Sequence, residues 1–159
     1  MITFEPIGTI YTPFKTIENM PIQAAAAKGI CGRIVVNEKF EAGLKDIEGF
    51  SYLYLIYKFH KCAGYLLEVK PFLDDKTHGI FATRSPKRPS LIGISIVKLA
   101  GVNGCELMIE NVDILDETPL LDIKPYIPEF DVMGGEIKTG WYQNKPKKLN
   151  ETKSDERFK

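Results

Sequence analysis

From Ser51 to His60 the chain repeats every two residues: Leu53, Leu55, Tyr57 and Phe59 fall on one side, Tyr52, Tyr54, Ile56, Lys58 and His60 on the other. That period marks a β-strand, whose successive side chains leave opposite faces. Both sides are largely apolar, so the stretch predicts a central strand. His60 closes it, where a side chain leaves the core and faces a cleft. It serves there either as a hydrogen-bonded strand-end residue or as a ligand contact. Other runs supply neighbours: Ile2 to Tyr11, with Gly8 as a bend or bulge and Pro13 as its stop, Ile30 to Val36, and Tyr65 to Phe72. Ile92 to Val102 follows, with Ile92, Ile94 and Ile96 set against Val97 and Leu99. Asn103-Gly104 is a strong two-residue hairpin signal and returns the chain as Cys105 to Ile114, before a last strand from Leu120 to Tyr126. Phe40, Leu44 and Ile47 have the spacing of a short helix over 40–50 that Gly49 stops. Seven or eight short strands, frequent turn signals and little helix point to an all-β barrel or sandwich.

The stretch from Gly79 to Gly93 sets Arg84 and Arg88 among Pro86 and Pro89, with Thr83 and Ser85 beside them. Proline fixes φ and cannot donate to a ladder, so this reads as a stiff loop between strands that presents cations in a set direction. A basic connection that limits edge pairing is the plain alternative. The chain's 21 Lys and Arg balance 21 Asp and Glu, so no global field draws in nucleic acid or a membrane, and any polyanion must meet a local patch. Three cysteines without short paired spacing argue against a disulfide framework or zinc ribbon and fit the cytoplasm. With His60 and His78 the only histidines, a His-rich metal site cannot be built. A phosphate-binding glycine loop, a dinucleotide fingerprint, an H-E-x-x-H helix and a G-x-S-x-G elbow are all absent. No basic leader or long apolar run is present, so no membrane partner is expected. Residues 1–135 read as one β-domain, and 136–159 as a Lys-rich segment, Trp141-Tyr142 aside, expected to be partly disordered.

Polar residues remain at the strand ends: Gln23, His60, Arg84, Ser85, Arg88, Asp113, Asp116, Thr118, Asp122, Lys124 and Tyr126. The loops at one end of a small barrel commonly supply a site. For any one carboxylate, local capping of a turn explains its presence equally well.

Three stretches carry a resemblance: Gly-Ile-Phe-Ala-Thr-Arg-Ser-Pro-Lys-Arg-Pro from Gly79 with Ile92-Gly93, Leu-Asp-Glu-Thr-Pro-Leu-Leu-Asp-Ile-Lys-Pro-Tyr from Leu115, and Phe50 to His60. With Pro21-Ile22-Gln23, they resemble the TsaA-like (TrmO) family over about Phe4 to Pro128. The resemblance implies a small, mostly antiparallel β-barrel with short helical connections, unlike the doubly wound methyltransferases. It implies S-adenosyl-L-methionine as cofactor, a homodimer, and methylation on N6 of threonylcarbamoyladenosine at position 37 of tRNA. Carried over by position, it implies cofactor contacts at Pro21, Ile22, Gln23, His60, Lys61, Arg84, Ile94, Glu117, Thr118, Pro119 and Leu120. It leaves Asp113, Asp116, Asp122 and Tyr126 as candidate catalytic residues, and Lys87, Arg88 and Lys124 as candidates for RNA phosphate. Ser90-Leu91 stand where the family commonly carries Asn-Pro, and Glu117 where it carries Gly. The C-terminal extension of longer bacterial members is not expected here. A methyltransferase of the same fold acting on another small molecule or RNA, and a non-catalytic cofactor- or RNA-binding barrel, are the alternatives.

Overall fold

The computed structural model describes residues 2–18, 20–143 and 153–155. Its strands are β1 (Gly8–Tyr11), β2 (Cys31–Val36), β3 (Tyr52–Lys58), β4 (Glu68–Val69), β5 (His78–Gly79), β6 (Ile92–Asn103), β7 (Glu106–Glu110) and β8 (Thr118–Pro125). Six of them close an antiparallel barrel in the order β1-β2-β7-β6-β3-β8, while β4 and β5 form a separate two-stranded ladder. Among the described residues no helix is long and apolar enough to cross a membrane.

β3 pairs with β6 on one side and β8 on the other, as a central strand should. Leu53, Leu55 and Tyr57 point inward and join Ile10, Ile34, Val97, Leu107, Ile109 and Leu120 in the core. Its other face is only partly covered: Tyr126 packs against Tyr52 and Tyr54, yet Tyr52 is still exposed, and so are Ile94 and Ile96, which stand against Ile56 and Tyr54 in the β6 ladder. On β6 the inward positions are therefore Gly93, Ser95 and Val97, the reverse of the phase that the isoleucines suggest.

Four expectations need correction. The helix over 40–50 is two 3-10 segments, Glu38–Leu44 and Ile47–Gly49, separated at Asp46, whose φ of 67° interrupts a continuous helix. Phe40, Leu44 and Ile47 still pack on the core, so their spacing reports burial rather than an α-helix. The strand over 65–72 shrinks to Glu68–Val69, because only Gly79 and His78 are there to pair with it and Pro71 stops it. Gly8 is not a bulge: it pairs regularly with Val36 and Leu120, and a Cβ there would lie 2.3 Å from the Val35 carbonyl oxygen. Finally, Asn103 pairs with Glu106, so the hairpin turn is Gly104-Cys105, with Gly104 at φ 58° in the first loop position.

Beyond β8 a single helical turn, α1 (Pro128–Asp131), precedes the C-terminal segment 136–159. The disorder expected of that segment falls largely on 144–152 and 156–159, which lie outside the described residues. Trp141 and Ser154 are placed against the barrel loops.

Gly93 lets the Tyr57 ring lie across β6, since an added Cβ would sit 2.4 Å from the ring and 2.9 Å from Phe59. Gly93→Ala is expected to destabilise the barrel by about 1–3 kcal/mol through overpacking, measured by urea unfolding. An unchanged midpoint would show that the ring is free to move.

Candidate functional site

In the barrel's alternating directions, β1, β3 and β7 end where β2, β6 and β8 begin. The long loops 12–30 and 59–91 and the turn 111–117 therefore meet at one end. The sequence places Pro21, Ile22, Gln23, His60, Lys61, Arg84, Asp113, Asp116, Glu117 and Thr118 on these segments or at the strand start beside them, and the topology brings them together.

Two inward side chains near that end are polar. The Tyr57 hydroxyl lies 3.0 Å from Ser95 Oγ, and Ser95 Oγ donates to Asp113 Oδ1 at 2.6 Å. A serine hydroxyl has one proton, so Tyr57 is the donor to Ser95 and the chain runs Tyr57 to Ser95 to Asp113. Burial pushes the Asp113 carboxyl up to about 6, against the lowering effect of Ser95, of backbone N–H groups including that of Ala24, and of the Arg84 charge. Burial first, and the Asp113 charge second, push the Tyr57 phenol up.

Above this floor, Arg84 Nη1 donates to Gln23 Oε1 at 2.8 Å and joins the two long loops. Arg88 has a different task. Its Nη1 donates to the carbonyls of Thr83 at 2.8 Å, Ile80 at 3.3 Å and Ser85 at 3.4 Å, so it holds the turn from which Arg84 projects. Lys87 Nζ donates to the Ala63 carbonyl at 3.2 Å. The Ser90-Leu91 departure has a backbone counterpart: Leu91 stands at φ 50°, which the fixed ring of a proline forbids.

His60 lies on the β8 side. Thr118 Oγ1 donates to the Leu115 carbonyl at 2.6 Å, which uses its only proton, so the 3.3 Å contact with His60 Nδ1 requires Nδ1 to be the donor. Nε2 is then a bare acceptor, and it is buried with no hydrogen-bond partner among the described residues. Burial, followed by the Lys61 charge, moves the imidazole below its ordinary pKa and favours this neutral form. Beside it, Glu117 occupies left-handed backbone at φ 58°, a conformation that suits glycine, the residue the resemblance implies at this position.

The other candidates are placed differently. Asp116 is buried and accepts from the Thr12 N–H at 2.8 Å while pairing with Lys15. Burial acts to raise its carboxyl, but Lys15 and the backbone N–H groups together hold it below the usual range. Asp122 pairs with Lys124 at 2.8 Å on β8 and lines an open, mainly apolar cleft of about 400 Å³ at the opposite barrel end, with Ile7, Phe40, Leu44 and Phe50. Tyr126 lies at that end too, its ring 5.8 Å from Tyr54 and 6.3 Å from Tyr52. Leu120 is fully buried in the core, Pro119 is half-buried beside it, and Ile94 stands exposed on the outer wall. Among the described residues no group of three or more His, Cys, Asp or Glu could hold a metal. Sequence reasoning missed the roles of Tyr57, Ser95, Trp141 and Ser154. A lone serine within an apolar strand was the available signal for Ser95.

Known proteins fit this geometry. The profile of the tRNA-methyltransferase O N-terminal domain matches residues 9–132, which include all three loops. A probable S-adenosyl-L-methionine-binding protein of Pyrococcus abyssi is 51% identical over 158 residues, 99% of this chain and 85% of the relative. The human tRNA (adenine(37)-N6)-methyltransferase is 35% identical over 136 residues, 80% of this chain but 30% of that protein. The crystal structure of TrmO from Pseudomonas aeruginosa superposes with a TM-score of 0.74 at 31% identity, covering 89% of this chain and 62% of that one, so this chain spans less than two thirds of its length. By profile, relatives and fold, the chain belongs to the tRNA-methyltransferase O family.

Proposed function

We propose that the chain is an S-adenosyl-L-methionine-dependent methyltransferase acting on N6 of threonylcarbamoyladenosine at position 37 of tRNA, in the cytoplasm and as a homodimer. The observation that carries this reading is the convergence of Arg84, Gln23, the bare His60 Nε2 and the half-buried Asp113 at one barrel end, inside the stretch that matches the family. When bound, S-adenosyl-L-methionine supplies an electrophilic methyl group on a sulfonium sulfur.

The residues fit such a ligand. A buried imidazole nitrogen without a proton calls for an N–H or O–H donor, which the cofactor's adenine, ribose and amino groups all offer. Arg84 pairs with a carboxylate, and Gln23 presents an amide beside it. Pro21, Ile22, Lys61 and the Glu117-to-Pro119 turn complete the rim. Leu120 shapes it from inside the core, and Ile94 belongs to the outer wall.

Of the carboxylates, Asp113 suits proton acceptance. Asp116 is committed to Thr12 and Lys15, and Asp122 to Lys124. A carboxyl at about 6 is ionised at neutral pH yet basic enough to take the proton released as the nitrogen is methylated. Ser95 and Tyr57 hold Asp113 Oδ1 from below. Lys87 and Lys124 are proposed for RNA phosphate, with Arg88 contributing only from guanidinium nitrogens other than the one that binds the loop carbonyls. The exposed Tyr52, Ile94 and Ile96 support a homodimer across the outer face of β3 and β6. A second reading, a methyltransferase with another small-molecule or RNA acceptor, is favoured by Leu91, whose left-handed backbone a proline could not adopt, and by the side chain that Glu117 adds where the resemblance implies glycine.

The test is labelled S-adenosyl-L-methionine with tRNA that carries or lacks the threonylcarbamoyl group. Label on the modified tRNA alone, from a species that sediments as two chains, is expected. No transfer to modified tRNA would overturn the substrate, and transfer to a metabolite extract with tRNA inert would favour the second reading.

Asp113 makes a pH prediction with a defined sign. Its folded-state pKa, about 6, lies above that of an unfolded carboxyl near 4, so the native state holds this proton while the unfolded state releases it. Stability from this group is present below pH ~4 and is lost as pH rises through ~6, a difference on the order of 2–3 kcal/mol. Asp113→Asn is expected to abolish that slope in unfolding titrations and to slow methyl transfer by about 10²–10⁴-fold, while the wild-type rate rises through pH ~6. A variant with wild-type rate and pH profile would remove Asp113 from the reaction.

A further inference from the structure

The Arg84–Gln23 hydrogen bond is solvent-exposed and joins two long side chains on loops that contain only short 3-10 turns and a two-stranded ladder. A contact of that kind does not by itself fix two loops. The main chain on either side of it is held by residues far along the sequence. Ser154 N–H donates to the Met20 carbonyl at 2.9 Å, the Met20 N–H donates to Ser154 Oγ at 2.9 Å, and Ser154 Oγ donates to the Ile17 carbonyl. Lys153 forms a β-bridge with Pro21. One serine thus satisfies both backbone groups of Met20, a buried residue three positions before Gln23, and the end of the segment leading to it. On the other loop, Trp141 Nε1 donates to the Ala82 carbonyl at 2.8 Å, two positions before Arg84. Its indole stacks on His78 at 4.7 Å and 17°, and His78 Nε2 is in turn 2.8 Å from Asp74 Oδ2.

We propose that Trp141 and Ser154 are positioning residues of the cofactor site: they brace the backbone of the two loops so that Arg84 and Gln23 meet in register. Both residues lie beyond 132, where the match to the family profile ends. The inference rests on the reading that these two loops hold S-adenosyl-L-methionine. Ligand affinity falls in proportion to the fraction of molecules whose site is already assembled, so loosening either loop weakens binding without touching a ligand contact.

The test uses the full-length protein with four single substitutions. Ser154→Ala removes the hydroxyl and Ser154→Thr keeps it; Trp141→Phe keeps an aromatic ring but not the donor, and Trp141→Ala removes both. Titration calorimetry with S-adenosyl-L-methionine is expected to show Kd raised by about 5–10-fold in Ser154→Ala and Trp141→Phe. Trp141→Ala should show a larger loss, and Ser154→Thr should restore wild-type affinity. In turnover, KM for the cofactor rises while kcat holds, because the change removes assembled sites and not transition-state contacts. Backbone amides of 20–27 and 82–85 exchange faster with deuterium in the weakened variants, with or without cofactor. Wild-type Kd and exchange in Ser154→Ala and Trp141→Phe overturn the brace. So does an affinity loss that Ser154→Thr fails to rescue. If the wild-type protein binds no cofactor, the site reading falls and this inference falls with it, whereas binding that is unchanged by the substitutions defeats the brace alone.

Discussion

Closure of the barrel between β1 and β8 is the constraint on which everything else depends. The seam is short, with Gly8, Thr9 and Ile10 set against Leu120, Pro119 and Thr118, and Pro119 has no N–H to give. It holds because Ile10 and Leu120 are fully buried beside it and the Ile7 N–H donates to the Leu120 carbonyl at 2.8 Å, while on the other edge of β1 Gly8 lets the backbone approach Val35 of β2 more closely than any side chain would allow. A closed antiparallel sheet has no free edge, and an even number of strands sends alternate ends to the same side. The long loops are thereby forced together at one mouth. Thr118 begins β8 at this seam, so the hydroxyl that sets the His60 tautomer is positioned by the same pairing that closes the barrel.

Electrostatics follows from how the mouth is floored. The core is apolar until the inward positions of Tyr57 and Ser95, where a polar chain leads to Asp113. A carboxylate withdrawn from water is raised, and the Arg84 charge is too exposed to offset that burial. Asp116, three residues after Asp113 and buried, goes the other way because Lys15 and the Thr12 N–H meet it directly. Two neighbouring carboxylates thus separate into a tuned group and an anchor, and the protein's zero net charge leaves these local fields undisturbed by any global one.

Much of this was legible in the residues, for physical reasons that differ from place to place. The alternation over 51–60 was clear because β3 is apolar on both faces and regularly paired along its length. Hydrophobicity misread β6, because its outer positions, Ile94 and Ile96, are more apolar than its inner ones, Gly93 and Ser95. Arg84 and Arg88 offer identical chemistry, and only the fold of the turn shows that one binds carbonyls while the other reaches Gln23. The family resemblance named residues that do gather at the mouth, and also Leu120 and Ile94, whose side chains lie in the core and on the outer wall. Ser154 left no trace in the sequence because its partners are backbone groups of Ile17 and Met20, which any residue would provide.

The central claim is that the ligand enters the mouth bounded by Gln23, His60, Arg84 and Asp113. Amide chemical-shift mapping on titration with S-adenosyl-L-methionine tests it most directly. The account predicts shifts concentrated at residues 21–24, 60–61, 84–85, 113 and 117–119. Shifts gathered instead around Ile7, Phe40, Leu44 and Phe50, at the apolar cleft of the opposite end, would contradict it.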